Sequence, residues 1–222
     1  MNAVVEKFQN VTITPPNFQS VEILIEGTAP LVMQKFAAKA EMMKKMQEGG
    51  AAKNKRNRTA RDFAKDAENA THYSDEGWPG FPASAFRASA IRACSLVNFK
   101  MTMAKMSIFV EGESLDREDG TPLVRIYGAK EAFQMYCRNA TGVIDIRSRP
   151  MFKKWAGKLK IRFDADQFSA VDVINLFARC GQQVGIGAGR PGSSDSCGMG
   201  WGMYRVVGSD EQAKVRKDFG IK

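Results

Sequence analysis

Alternation of apolar and polar residues predicts several short strands along the chain. Val21–Gly27, VEILIEG, is rich in β-branched residues and is typical of a strand with one buried face. Lys158–Phe163 alternates more strictly, so its apolar residues are expected to face a core and its cations to form a basic outer face. Further strands are predicted at Ile108–Glu111, Leu123–Gly128 and Met203–Val207, with a hairpin connection at Asp119-Gly120 between the first two.

Apolar residues at intervals of three and four predict helices between these strands. Lys35–Gln47 is rich in good helix formers, and a second helix is expected to follow Pro82, with Ser84 as its cap. A third begins near Ser169 and is expected to end at Gly181. Its predicted inward-facing residues are Val173, Leu176 and Phe177.

The order of these elements predicts the fold class. Glu131–Tyr136 is helix-prone, and the β-prone segment after it is interrupted by Pro150. Without its insertions, the order is compatible with a single α+β domain, residues 1–222, with a ferredoxin-like (RRM-like) βαββαβ core. The first strand is followed by a basic helical insertion at 34–76, and a glycine-rich loop at 184–202 precedes the last strand.

Composition restricts the functional classes. The 222 residues contain 33 Lys and Arg against 24 Asp and Glu, a formal charge of +9, so an acidic partner is plausible. No apolar run approaches a membrane span and no secretory signal is evident, which predicts a cytoplasmic protein without a membrane partner. The four cysteines form no CxxC pair and are expected to be reduced core thiols, while the lone His72 disfavours histidine-based catalysis or metal binding.

Two clusters of cations are candidates for phosphate contacts. One lies in the insertion and is too charged to be buried, so it is either a solvated surface or a contact to a polyanion. The second is followed by Trp155 and is either a binding element or a polar loop around a buried tryptophan. The first cluster contains Lys53, Lys55, Arg56, Arg58 and Arg61, and the second contains Arg147, Arg149, Lys153 and Lys154.

The glycine-rich segment GIGAGRPGSSDSCGMGWG at Gly185–Gly202 is the most distinctive motif. Glycines permit positive φ and close approach of a polyanion, and successive amides can bind phosphate. A nucleotide-binding GxGxxG loop would follow a strand and precede a helix, whereas this one follows a helix and precedes a strand. A phosphate contact is therefore weighed against a flexible hairpin-like loop. At most one of Trp78, Phe81, Trp155 and Trp201 is expected to stack on a base.

The loop and the strand after it resemble those of the RAMP superfamily, the RNA-binding subunits of CRISPR effector complexes. The resemblance lies in the GxG opening, the following Arg190-Pro191 and the later Gly198-x-Gly200. The segment FPASAFRASAIRA is similar to the family's entry into its first helix, although Arg92 follows Arg87 by five residues rather than four. The resemblance implies that Gly187, Gly189 and Arg190 contact RNA phosphates, with Arg87 and Arg92 nearby.

A single domain with a basic insertion is similar to the repeated backbone subunit of those complexes. The resemblance therefore implies a non-catalytic single-stranded RNA-binding protein, without cofactor or metal, that forms a homo-oligomer or filament along the strand. Other effector-complex subunits are further candidate partners. A single-stranded DNA-binding protein of a phage or mobile element remains an alternative, as does a structural assembly protein with a basic patch. An enzyme is a third alternative.

Overall fold

The computed structural model describes residues 13–35, 62–138, 144–193 and 198–222, which form an α+β structure with antiparallel sheets. The predicted helix Lys35–Gln47, beyond its first residue, and the cations at positions 53–61 lie outside the described residues. The strands are β1 Phe18–Gly27, β2 Leu31–Val32, β3 His72–Tyr73, β4 Pro79–Pro82, β5 Ile108–Glu111, β6 Ser114–Leu115, β7 Pro122–Tyr127, β8 Lys130–Arg138, β9 Ile144–Phe152, β10 Ala156–Asp164 and β11 Tyr204–Val206. The helices in this part are α1 Phe63–Asn69, α2 Ala83–Ala93, α3 Met101–Ser107, α4 Ala170–Arg179 and α5 Gln212–Phe219.

The main sheet is built around the pairing of β1 with β10. The two strands are antiparallel along nearly their whole length, and β11 pairs with the other side of β1. β10 pairs in turn with β5 near one end and with β7 near the other, and β4 and β3 follow β7. A second, smaller sheet consists of β2, β9 and β8, and its long β8–β9 hairpin lies between β7 and β10 in the sequence.

The core lies between the main sheet and the helices α2 and α4. Ile23 and Ile161 from the sheet pack in one cluster with Phe86 of α2 and Phe177 of α4. Burial of each such side chain contributes about 1.5–3 kcal/mol. The strands predicted around residues 21–27 and 158–163 are therefore confirmed, and so is the inward face of the third predicted helix. Ser169 caps α4 in a reciprocal capping box with Asp172.

The predicted helix at Glu131–Tyr136 is wrong, because this segment forms strand β8. Its helix-prone composition gives way to nine residues of cross-strand pairing with β9, from Lys130↔Phe152 to Arg138↔Ile144. Pro150 does not interrupt β9 either, since the strand continues to Phe152. A proline removes only the donor of its residue, and the Pro150 carbonyl still accepts a hydrogen bond from the Met33 amide at 3.0 Å.

Two predicted helix boundaries are also wrong. Pro82 rather than Ser84 precedes the first turn of α2, and Ser84 lies within the helix. The helical segment after α4 passes through Gly181 as a π-helical turn and ends at Gly185, whose φ is 70°. Gly181 is instead needed for close packing, because a Cβ there would lie 2.1 Å from the carbonyl oxygen of Tyr204.

The two cysteines whose side chains the structure describes agree with the prediction of reduced core thiols. Cys94 and Cys180 are buried free thiols, and burial raises the pKa of both. The side chains of Cys137 and Cys197 lie outside the described part. Within the described residues, none of the helices has the length and apolarity that crossing a bilayer requires.

Candidate nucleic-acid interface

The described part of the glycine-rich loop is joined by backbone hydrogen bonds to β2 and to the residue before it. The Ala188 amide donates to the Val32 carbonyl at 2.9 Å, and the Gly202 amide donates to the Pro30 carbonyl at 2.7 Å. The two ends of the loop are joined by a bond of 3.0 Å from the Ile186 amide to the Gly202 carbonyl. β2 and the residue that precedes it therefore hold both ends of the loop in place.

Two glycines of the predicted phosphate contact are required by this packing. Gly187 and Gly189 have φ of 75° and 73°. A Cβ on Gly187 would lie 2.6 Å from the Val32 carbonyl oxygen, and a Cβ on Gly189 would lie 2.7 Å from the Trp201 ring. Larger residues would displace the loop from β2 or from Trp201.

The loop also presents hydrogen-bond donors. Among the described residues, the amides of Gly187, Gly189 and Arg190 have no acceptor, although neighbouring amides are bonded within the protein. The Arg190 guanidinium donates one hydrogen bond, at 2.9 Å, to the Gly187 carbonyl and is half-buried. Its remaining N–H groups and the three amides are donors of the kind that bind phosphate oxygens.

An aromatic contact connects this loop to the β8–β9 hairpin. Trp201 lies edge-to-face against Phe133, with ring centroids 5.5 Å apart and planes at 90°. Phe133 pairs across the hairpin with Arg149, and Met135 pairs with Arg147. Directly opposite residues of an antiparallel pair share a face, so both arginines are on the side of the hairpin that faces the loop. Arg149 is buried and Arg147 is half-buried.

These residues form one surface, which we name the loop–hairpin surface. It unites two of the groups that the sequence singles out separately, the glycine motif and the two arginines before Pro150. Its members are Gly187, Gly189, Arg190 and Trp201 of the loop and Phe133, Arg147 and Arg149 of the hairpin.

Four other predicted site residues lie elsewhere. Arg87 donates to the backbone carbonyls of Lys105 and Ile108 and stacks 4.8 Å from the Phe109 ring centroid, at the edge strand β5. Ser89, on the opposite side of α2, is the residue that contacts the loop, through the Gly185 carbonyl at 3.1 Å. The prediction that Arg87 lies beside the glycine motif is therefore wrong in geometry.

The remaining three are exposed. Arg92 lies in the last turn of α2. Lys153 is paired with Glu131 at 2.6 Å, and Lys154 borders a separate groove with Glu26 and Asp218. Trp155, next to them, is completely buried, as the polar-loop alternative expects for this tryptophan.

Trp201 is the best-placed candidate for base stacking among the four aromatic residues considered. Trp78 and Phe81 are also buried in the core, at 8% and 6% exposure, whereas Trp201 is half-buried.

The described residues of the insertion, on either side of its cations at positions 53–61, lie beside the hairpin. Asp62 caps α1 by accepting hydrogen bonds from the Ala64 and Lys65 amides, and α1 packs on β9. Glu68 of α1 pairs with Lys130 of β8. At the other end of the insertion, the Lys35 amide donates to the Ala70 carbonyl at 3.2 Å. Both chain connections to the cations at 53–61 therefore start next to the hairpin.

A buried charged cluster near this connection was not predicted from the sequence. The Lys35 ammonium lies 2.7 and 2.9 Å from the two carboxylate oxygens of Asp116, and His72 Nδ1 lies 2.8 Å from one of them. Asp119 brings a third possible metal ligand close to His72 and Asp116. Because the Lys35 ammonium already neutralises the Asp116 carboxylate, the arrangement is explained as a structural ion pair.

The electrostatics of this cluster agree with that explanation. Burial opposes ionisation of Asp116, but hydrogen bonds from Lys35, the Glu118 amide and His72 outweigh it, so the pKa of Asp116 lies below its ordinary value. Burial likewise opposes the charge on Lys35, but Asp116 and Glu118 outweigh it and raise the pKa of Lys35. No signal in the sequence identifies this cluster, because His72 and Asp116 are 44 residues apart and only the fold brings them together.

No family model matches the chain, and no curated protein matches it either. Function is therefore inferred from the loop–hairpin surface and the elements that support it.

Proposed function

We propose that this protein is a RAMP-like, non-catalytic single-stranded RNA-binding protein that contacts the phosphate backbone through the loop–hairpin surface and oligomerises along the strand. The observation behind the proposal is the contact of Trp201 with Phe133, which joins the glycine motif to the arginine-bearing face of the hairpin. Phosphate donors, arginines and a half-buried aromatic pair are the groups that single-strand binding uses.

The strand order supports a ferredoxin-like core for this protein. β11, β1, β10 and β5 are adjacent in that order, and each is antiparallel to its neighbour. In the sequence, α2 lies between β1 and β5, and α4 lies between β10 and β11. This is the arrangement expected of a βαββαβ unit, to which the other strands and the hairpin are additions.

The chemistry of the loop supports phosphate rather than base recognition. The free amides of Gly187 and Gly189 and the Arg190 guanidinium are sequence-independent donors. The proposal includes no catalytic step, because the Asp116 carboxylate beside His72 is fully buried and bonded to Lys35. Binding is thus expected to be electrostatic and only weakly dependent on base sequence.

The proposal is tested by titrating the protein, purified in high salt, into labelled U30 and dT30 oligonucleotides and measuring fluorescence anisotropy. Affinity for U30 is expected to fall steeply with salt, and Arg190→Ala is expected to lower it about tenfold and to reduce the salt slope by about one. Lys217→Ala, an exposed lysine of α5, is the matched control and is expected to have no effect.

The outcomes separate the proposal from its alternatives. A clear preference for dT30 would replace RNA by single-stranded DNA as the ligand. Absence of binding to either oligonucleotide at low salt would favour a structural assembly protein. Oligomerisation is tested by nuclease protection, because subunits that follow one another along a strand protect lengths that increase in equal steps; a single protected length contradicts it.

A further inference from the structure

One polar side chain on the buried face of α2 reaches the start of the glycine-rich loop. Six residues of α2 are buried, of which five are apolar and the sixth is Ser89, at 6% exposure. A serine inside a helix often bonds to the carbonyl four residues before it. The Ser89 hydroxyl instead donates to the Gly185 carbonyl at 3.1 Å, 96 residues along the chain. This hydroxyl therefore joins α2 to the loop.

The Gly185 carbonyl depends on the Ser89 hydroxyl for its hydrogen bond. Gly185 is buried, and no other group among the described residues donates to its carbonyl oxygen. A buried carbonyl that loses its donor retains the cost of its desolvation. Without the hydroxyl, conformations in which the Gly185 carbonyl reaches water are therefore favoured over the one observed.

The peptide between Gly185 and Ile186 is held from both sides. A trans peptide is planar, and its carbonyl and its amide point in opposite directions. The carbonyl accepts the bond from Ser89, and the Ile186 amide donates to the Gly202 carbonyl at 3.0 Å. Rotation of the peptide would break both bonds, so together they fix the direction in which the chain continues to Gly187 and its free amide.

Gly185 also packs against the cation of the loop. A Cβ on Gly185 would lie 3.2 Å from Arg190 Cβ and 3.2 Å from Pro191 Cδ. The Arg190 guanidinium donates in turn to the Gly187 carbonyl at 2.9 Å. A displacement of Gly185 would therefore be transmitted to Arg190 and to the backbone of Gly187.

We infer that Ser89 is a positioning residue for nucleic-acid binding. It holds the Gly185 peptide and, through it, the phosphate donors of Gly187 and Arg190 in the orientation that binds. Because Ser89 is buried, it acts through the loop rather than by contact with the ligand. This inference rests on the proposed function of the loop–hairpin surface.

The test compares Ser89→Ala with a matched control, Ser148→Ala. Ser148 is equally buried, at 6% exposure, but its hydroxyl has no hydrogen-bond partner, so the control removes a buried hydroxyl without releasing the loop. In fluorescence anisotropy, Ser89→Ala is expected to bind U30 about fivefold more weakly, because a smaller fraction of molecules has the loop in its binding conformation. Ser148→Ala is expected to bind U30 like the unmodified protein.

The double variant Ser89→Ala/Arg190→Ala tests whether Ser89 acts through the loop. Its loss of affinity is expected to be smaller than the product of the two single losses, because the two residues contribute to the same contact. A double loss equal to the product would contradict the inference, since independent sites add their effects in free energy.

Amide hydrogen exchange measured by NMR examines the loop without ligand. In Ser89→Ala the Ile186 amide is expected to exchange roughly tenfold faster, while the Ile161 amide in β10 exchanges as before. Equal acceleration of both amides would indicate a global loss of stability and overturn the inference. If Arg190→Ala weakens U30 binding but Ser89→Ala does not, this inference alone is wrong. Absence of U30 binding by the unmodified protein would overturn the proposed function and, with it, this role of Ser89.

Discussion

The cations of β10 and Arg190 of the loop–hairpin surface differ in whether a carboxylate pairs with them. The outward face of β10 has Lys158, Lys160 and Arg162, which the strand pattern predicts as a basic face. Each of them lies within 4 Å of a glutamate: Lys158 is 3.7 Å from Glu22, and Glu111 is 2.7 Å from Lys160 and 3.7 Å from Arg162. The three cations face outward as predicted, and the two glutamates offset most but not all of their positive charge.

Arg190 of the loop–hairpin surface differs from the cations of β10, because it has no carboxylate partner among the described residues and lies beside backbone amides without acceptors. An excess of +9 in the sequence is therefore a poor guide to where a polyanion binds. Whether a cation is available to a polyanion depends on whether a carboxylate already pairs with it. That pairing depends in turn on which strands become neighbours in the sheet.

The largest expected effect tests whether a buried ion pair contributes more to the stability of this molecule than an exposed one. Asp116→Asn leaves Lys35 buried without its main partner and is expected to cost about 3–5 kcal/mol of unfolding free energy. Glu111→Gln, in the exposed pair with Lys160, is expected to cost roughly 0–1 kcal/mol. Urea denaturation measures both, and equal costs would contradict the distinction.

The same pair predicts a pH dependence. The lowered pKa of Asp116 means that its contribution to stability is present above its unfolded pKa and is lost as pH falls through the folded one. The raised pKa of Lys35 means that its contribution is present below its unfolded pKa and is lost as pH rises through the folded one. Asp116→Asn is thus expected to flatten the acid limb of stability against pH, while Glu111→Gln leaves that limb in place.

Nucleic-acid binding gives the next largest effect. Arg190→Glu reverses a charge on the loop–hairpin surface that has no carboxylate partner among the described residues, and it is expected to weaken U30 binding by about tenfold or more through the lost phosphate contact. Lys160→Glu reverses a paired cation on β10 and is expected to change affinity less than twofold. If both variants weaken binding equally, overall charge rather than the loop–hairpin surface determines affinity.

Much of the sheet was predictable because its central strands have a clear alternation. Ile23, Leu159 and Ile161 are buried as their spacing predicts. The spacing of Val173 and Phe177 likewise predicts the buried face of α4. Strand β8 was not, because its residues are good helix formers and only pairing with β9 makes it extended. The sequence pattern predicts the secondary structure of segments with one buried face. For β8, pairing with a neighbouring strand determines it instead.

The candidate site was predictable as residue types but not as a surface. The glycine motif and the arginines at 147 and 149 stand out in the sequence, whereas their union through Phe133 and Trp201 depends on a hairpin that the sequence does not reveal. Arg87 shows the opposite error, since its bonds to the Lys105 and Ile108 carbonyls depend on the position of β5 relative to α2.

A smaller effect concerns the support of the loop–hairpin surface. Gly187 and Gly200 both have positive φ, but only a Cβ on Gly187 would meet backbone, at 2.6 Å from the Val32 oxygen. Gly200→Ala is expected to cost about 1–2 kcal/mol for the left-handed conformation alone, and Gly187→Ala about 1–2 kcal/mol more. Urea denaturation and U30 titration of both variants test this, and only Gly187→Ala is expected to weaken binding. Equal stability of the two variants would mean that the loop is not fixed by β2.

The smallest expected effect comes from removing the glutamates that pair with the cations of β10, which makes this face more basic. Glu22→Gln/Glu111→Gln removes the two carboxylates that pair with Lys158, Lys160 and Arg162. The freed cations are expected to raise non-specific affinity for U30 about threefold at low salt, with a steeper salt dependence. Asp210→Asn/Asp218→Asn changes the net charge equally without releasing a paired cation, so a gain in this control as large as in the test variant would show that net charge alone determines the effect. A gain confined to Glu22→Gln/Glu111→Gln would show that glutamate pairing is what prevents the β10 face from binding nucleic acid.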